Sequence, residues 1–286
     1  MIKKLYFYIP SKLKSLLNQL TNYIAPSLVD DFVYSDIGKQ YGLTIKSKIF
    51  ILKRLNESLK KVNSATNLNV HLTLLSEILK LPLKKNPSAI VECGTFEVST
   101  SIVLSIAAEI TNRKLIIYDS FSGLPNSEKK LGERLYPHLN FTGFYKKSMY
   151  ACSLKKVQNN IKLFGEIGVC SFRKGFFKNT LPKHTEKIDF LFLDVDLCSS
   201  TKECIKYLWK HLNNNRFVFT DDACDMNVVK IWFDEKWWKK NLHSPAPGYI
   251  GSGCGIITQV KYSSLGYSYK NISKKKFTVP KWLNKE

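Results

Sequence analysis

Apolar positions in this chain follow two different spacings, which change over near residue 88. Before that point the spacing is helical. The stretch from Ile49 to Lys61 mixes apolar and charged residues at helical intervals. Val70–Leu81 sets Leu72, Leu74, Leu75, Ile78 and Leu79 on one broad face. Pro82 and Pro87 end the pattern. Met1–Ala25 combines apolar and basic residues as an amphipathic helix does. Such a helix packs on its own domain, on a neighbouring subunit of a homo-oligomer, or on a membrane surface. From Ser88 onward short apolar runs alternate with helical stretches. Strands are predicted at Ala89–Cys93, Lys114–Tyr118, Val169–Arg173, Ile188–Leu193, Arg216–Thr220 and Gly253–Val260. Helices are predicted at Ser99–Ile110, Leu154–Phe164, Thr201–Leu212 and Asn227–Lys239. Ile188–Leu193 is almost continuously apolar, as a central parallel strand buried on both faces must be. The order predicts an α/β fold with an open, mostly parallel, doubly wound sheet. The domain reading is a helical extension over residues 1–85, forming an oligomer contact or a cap over the substrate. A sheet domain over 86–286 follows, whose end from Lys261 reads as a hairpin with a basic tail.

Composition narrows this reading. A chain of 286 residues that is 44% hydrophobic buries a sizeable core, which excludes global disorder. There is no apolar run of about 18 residues, so no spanning helix is expected. Lys12 and Lys14 interrupt the apolar residues of the basic N-terminus and no small-residue cleavage site follows, so no secretory signal is expected either. The seven cysteines form no Cys-x-x-Cys pair and His is scarce, which argues against structural zinc and for reduced thiols in a cytoplasmic protein. The net charge of +21 would suit nucleic acid or an anionic membrane. The excess is dispersed lysine, however, which reads as a solvated surface, and nucleic acid is not the expected partner.

The chemistry lies at the carboxyl ends of the strands, where open α/β sheets bind ligands. Val91-Glu92-Cys93-Gly94-Thr95 runs from a strand through a glycine turn into a helix that Ser99 or Thr100 can cap. Gly94 lets the backbone pass close to a ligand, and Glu92 suits a cationic or hydroxyl-bearing one. A single glycine is a weak dinucleotide signal. Asp119 follows the next strand, where an acid accepts ribose hydroxyls or caps a turn, and Ser120-Phe121-Ser122-Gly123-Leu124-Pro125 reads as a tight loop. Asp194-Val195-Asp196 and Asp221-Asp222 end two consecutive strands. Clustered carboxylates repel unless a hard cation binds them, and oxygen-only ligation suits Mg²⁺.

The segment FLFLDVDLCSSTKECIKYLWKHL, followed by FVFTDD, resembles the macrocin/mycinamicin type of O-methyltransferase. DSFSGLP (Asp119–Pro125) and KGFFKNTLP (Lys174–Pro182) resemble the same family in the same order. The resemblance runs from about Ile90 to about Phe233. It implies a Rossmann-like class I methyltransferase fold, S-adenosyl-L-methionine, a Mg²⁺-like cation, and methyl transfer to a hydroxyl. The implied acceptor is a sugar or other polyhydroxylated small molecule, of a glycan or natural product. By the resemblance Glu92 and Gly94 lie beside the methionine part of the cofactor. Thr95 and Ser99 belong to the same cofactor side, Asp119 meets the ribose, and Ser120 and Phe121 lie near the nucleoside. Asp194, Asp221 and Asp222 become metal ligands, with Asp196 behind them or in place of one. Asp194 is also implied in catalysis, as is His138, the candidate base in the loop before the helix. Three departures stand out: Glu97 and Val98 occupy positions where glycines are common, and Cys198 and Ala223 replace tyrosines. Two rival readings are a metal-dependent glycosyltransferase using Asp194-Val195-Asp196 and a basic nucleic-acid-binding module. The Gly/Pro-rich stretch Ser244–Gly255 could be a substrate loop or a plain connection. Trp232, Trp237 and Trp238 could stack on a sugar, line a dimer contact, or fill the core.

Overall fold

The computed structural model describes residues 26–125, 145–257 and 264–270. Expectations for residues 1–25, for His138, and for most of the C-terminal tail lie outside these residues. The chain opens with helix α1 (Pro26–Tyr34), a short 3₁₀ turn, and then α2 (Ile45–Lys61) and α3 (Leu68–Leu79). Thr44 and Ser47 cap α2 reciprocally, and the Asn67 side chain accepts from the Val70 N–H to start α3. In α2, Ile51, Leu52, Leu55 and Leu59 are buried at helical intervals. The alternating part follows with β1 (Ala89–Cys93), α4 (Ser99–Ile110), β2 (Leu115–Asp119), α5 (Leu154–Phe164) and β3 (Cys170–Lys174). Next come the short α6 (Phe177–Thr180), β4 (Ile188–Leu193), α7 (Cys198–Leu208), β5 (Arg216–Thr220), α8 (Met226–Ile231), α9 (Glu235–Leu242) and β6 (Gly266–Lys270).

The strand order is β3-β2-β1-β4-β5-β6. Strands β1 to β5 pair in parallel, and β6 is antiparallel to β5. Chain direction across the sheet reverses between β1 and β4, which opens a crevice at their carboxyl ends. Burial alternates along the strands. Ile90, Leu115, Ile117, Phe190 and Phe192 face one layer with α1 to α5. Val91, Cys93, Ile116, Leu191 and Leu193 face the other, with α7 to α9. The helices before residue 85 therefore share a core with α4 and α5.

Three expected elements differ. The helix expected over Asn227–Lys239 is two helices. It breaks at Trp232–Asp234, where the fully buried Trp232 turns the chain and the Asp234 side chain caps α9 by accepting from the Trp237 N–H. Residues 253–257 form no strand, because Gly253 and Gly255 take positive φ; the last strand among the described residues is β6. The helix before Leu212 begins at Cys198 and ends at Leu208. Among the described residues no helix is long and apolar enough to cross a membrane.

Candidate active site

Strands β1, β2, β4 and β5 end at a cavity of about 600 Å³, within the range of small-molecule sites. Gly94 follows β1 with φ +86°. A Cβ there would stand 1.9 Å from the Asp194 carbonyl oxygen, so no other residue fits. The glycine expected to approach a ligand thus first lets β1 leave the sheet hard against β4. The N–H of Asp194 donates to Cys93 O at 2.9 Å, completing the junction. Further along the turn, Phe96 (φ 45°) and Val98 (φ 76°) hold left-handed backbone that glycine adopts without strain. Of the two positions where glycines are common, Val98 keeps that backbone shape; Glu97 does not, and Phe96 takes it instead.

Asp119 ends β2 and joins two loops. Its Oδ2 accepts from the Thr95 N–H at 2.9 Å and its Oδ1 from the Phe121 N–H at 2.6 Å. Burial raises its pKa, and these backbone bonds oppose the rise. Ser120 lines the cavity beside it, its hydroxyl donating to Gly123 O at 2.8 Å. Phe121, expected near the nucleoside, instead turns its ring into the core, with its centroid 6.4 Å from that of Phe172.

Glu92 and Ser99 also lie behind the cavity wall rather than on it. The Glu92 side chain is fully buried and accepts from the Ser101 hydroxyl. Its Oε1 has no hydrogen-bond partner among the described residues, and burial pushes the carboxyl up to about 8. Ser99 and Thr100 do not cap α4. Val98 occupies the cap without a side-chain bond, and the Ser99 hydroxyl is held by His71 at 3.2 Å.

Asp194, Asp196, Asp221 and Asp222 share the far wall of the cavity. Burial, and then the charges of Asp221, Asp196 and Asp222, raise the Asp194 pKa well above the usual carboxylate range. Asp196 takes φ 59°, and its N–H donates to Asp222 Oδ2 at 3.2 Å. The side chains expected to ligate a cation repel one another without closing on a point. Among the described residues no three Asp, Glu, His or Cys groups converge to hold one ion. The donor set itself is all carboxylate, the chemistry a hard divalent cation takes. Seven carboxylates line the cavity against Lys147 and Lys178, so its interior is acidic within a strongly basic chain.

Several lining residues carried no signal in the sequence. Asn63, Ser64 and Ala65 come from the α2–α3 loop, and Tyr145 and Tyr150 from a segment that follows the β2 loop. The Ser148 N–H donates to Leu124 O and the Leu124 N–H to Met149 O, each at 2.9 Å, and Tyr150 meets Phe96 edge to face at 5.3 Å. Ser244–Gly255 does not line the cavity and acts as a connection: Tyr249 stacks on Trp232 and bonds Thr220 at 2.6 Å. Trp232 and Trp238 are fully buried with Trp209, which settles them as core.

The sheet order and the switch-point cavity are those of the class I methyltransferase fold. The solved O-methyltransferase NovP shares it over 73% of this chain and 83% of its own, at 20% identity and a TM-score of 0.55. The calicheamicin methyltransferase CalS11 overlaps 78% of this chain and 92% of its own, with 13% identity and a TM-score of 0.49. The macrocin O-methyltransferase family pattern matches residues 72–247, more than half of the chain, and the chain belongs to that family. A curated relative from Streptomyces olivaceus is 8-demethyl-8-(2,3-dimethoxy-alpha-L-rhamnosyl)-tetracenomycin-C 4'-O-methyltransferase. It is 28% identical over 148 residues, which are 48% of this chain and 53% of the relative. The chain thus spans about half the length of the curated relative it matches.

Proposed function

We propose that this protein transfers the methyl group of S-adenosylmethionine to a hydroxyl of a sugar or other small polyhydroxylated acceptor. The observation that carries the reading is the meeting of the Gly94 turn, Asp119 and the Asp194/Asp221/Asp222 wall in one cavity of the family's fold. The relative named above acts on a rhamnosyl group, which supports a sugar acceptor. The acidic cavity repels phosphate chains, which argues against nucleic acid despite the net charge.

The S-adenosyl group supplies an electrophilic methyl on a sulfonium. The protein's part is to bind, orient and manage one proton. Gly94 and Thr95 form a close-packed turn for the cofactor, with Glu92 and Ser99 supporting it from behind. Asp119 holds that turn to the Phe121 loop and retains lone pairs for ribose hydroxyls. Fixing the acceptor oxygen in line with the methyl supplies much of the rate. The acceptor hydroxyl must lose its proton as its oxygen bonds to carbon. His138 is the proposed acceptor of that proton when Asp194 binds a cation. Without a cation Asp194 takes the role, since its crowding raises its proton affinity. A divalent cation held by Asp194, Asp221 and Asp222 would neutralise the wall and acidify the hydroxyl.

The test is calorimetry with S-adenosylhomocysteine, with and without Mg²⁺, followed by methyl transfer to a panel of sugars in EDTA or added Mg²⁺. No binding of S-adenosylhomocysteine at millimolar concentration would sink the methyl-donor reading. Activity indifferent to EDTA would remove the cation and leave Asp194 as proton acceptor. We also propose a cytoplasmic two-fold dimer, with the N-terminal helices in its interface. A monomeric mass by light scattering overturns the dimer.

A further inference from the structure

Among the polar residues between the N-terminal helices and α4, His71 and Thr66 have no role in the site described so far. Helices α3 and α4 pack together in a largely apolar layer. Inside it His71 is fully buried, and its Nε2 is hydrogen-bonded to Thr66 Oγ1 at 2.8 Å and Ser99 Oγ at 3.2 Å. Thr66 Oγ1 also meets Thr100 Oγ1 at 3.4 Å. Ser64 continues the chain of contacts, its hydroxyl donating to Thr66 O at 2.7 Å. The network therefore runs from the first turn of α4 to the Asn63–Ala65 loop, and that loop lines the cavity with Gly94 and Thr95. Apolar residues of the same shape would hold two helices together at least as well, because buried hydrogen bonds return little beyond their desolvation cost. A directional network instead sets where one loop sits relative to one helix turn.

We propose that His71 is a positioning residue that seats the 63–65 loop against the first turn of α4, where it holds the amino-acid half of the S-adenosyl cofactor. The assignment rests on the methyl-donor reading above. It follows the topology: Asp119 and Ser120, at the end of β2, are the proposed nucleoside side. The 63–65 loop is tied to α4, on the β1 side, and Asn63 and Ser64 bring polar groups to it.

The test is calorimetry on the full chain with two probes, S-adenosylhomocysteine and methylthioadenosine, which keeps the nucleoside but lacks the amino acid. His71→Ala should weaken S-adenosylhomocysteine about 10-fold, the equivalent of one lost hydrogen bond, and leave methylthioadenosine within about twofold. His71→Gln, which keeps hydrogen-bonding groups, should recover most of the loss. Thr66→Val preserves shape while removing the hydroxyl, so it carries the test if His71→Ala fails to fold; it should show the same selective loss. Equal weakening of both probes, or unchanged S-adenosylhomocysteine affinity in Thr66→Val, would overturn the positioning role while leaving the methyl-donor reading intact. Wild-type protein that binds neither probe would remove that reading, and the role of His71 with it.

Discussion

Two aspartates at opposite ends of one strand have opposite surroundings. Asp189, near the start of β4, accepts from Asn213 at 2.9 Å, from Arg216 at 3.2 Å, and from Lys84 and Arg113 at 3.4 Å. Burial alone would raise its pKa, but the Asn213 bond and the three cations overcome burial and hold the carboxyl below its ordinary value. Asp194, just beyond the other end of β4, meets burial and further carboxylates, and its pKa moves the other way. One end of the sheet satisfies its charge within the chain. The other sets carboxylates beside one another, which raises the proton affinity of Asp194. Shifted carboxylates cluster at functional sites, which is the ground for proposing a working role for this end of the sheet.

The comparison breaks most visibly on exchanging each aspartate. Asp194→Asn should reduce methyl transfer by about 100-fold or more, the scale of removing one electrostatic group from a reacting centre. Its thermal midpoint should stay level or rise, because one repelling charge leaves the cluster. Full activity in labelled-methyl assays would show that the far wall is only structural. Asp189→Ala should do the reverse. It strands the fully buried Arg113 and should cost about 3–5 kcal/mol in denaturant unfolding. Its S-adenosylhomocysteine affinity, measured where it is folded, should match wild type.

A smaller effect sharpens the same contrast through pH. The Glu92 pKa is raised in the folded state to about 8, so the stability linked to its bound proton is complete below the ordinary carboxylate value and is lost as pH rises toward 8. Glu92→Gln should therefore melt like wild type near pH 4 and at a progressively higher temperature than wild type from there to pH 8. For Asp189, whose pKa is lowered, the contribution is present above the ordinary carboxylate value and lost as pH falls through the lowered one. A pH-independent difference between Glu92→Gln and wild type would contradict the burial argument.

The smallest effect concerns Val98, fully buried but held at φ 76°. Glycine there would release strain of about 1–2 kcal/mol and lose about as much apolar burial. Alanine loses burial and keeps most of the strain. Val98→Ala should thus be less stable than Val98→Gly by about 1 kcal/mol in urea titrations. The opposite ranking would mean that packing alone decides this turn.

The apolar runs of β1, β2, β4 and β5 and the acids after them were legible in the chain, because period-2 and continuous burial patterns are local and a strand's carboxyl end is local too. The break between α8 and α9 was not, since Trp232 reads as one more apolar position until its burial against Trp209 and Tyr249 turns the chain. By itself the sequence determined the α/β order, the family motifs and which carboxylates stand at the strand ends. Only the tertiary structure decided what those ends meet. It sent Phe121 into the core and Glu92 behind the wall, and brought Asn63–Ala65 to the cavity from a loop more than 25 residues upstream of Gly94. The reason is that backbone pattern follows from neighbours along the chain. The composition of a cavity follows from which distant segments a parallel sheet and its helix layers bring together.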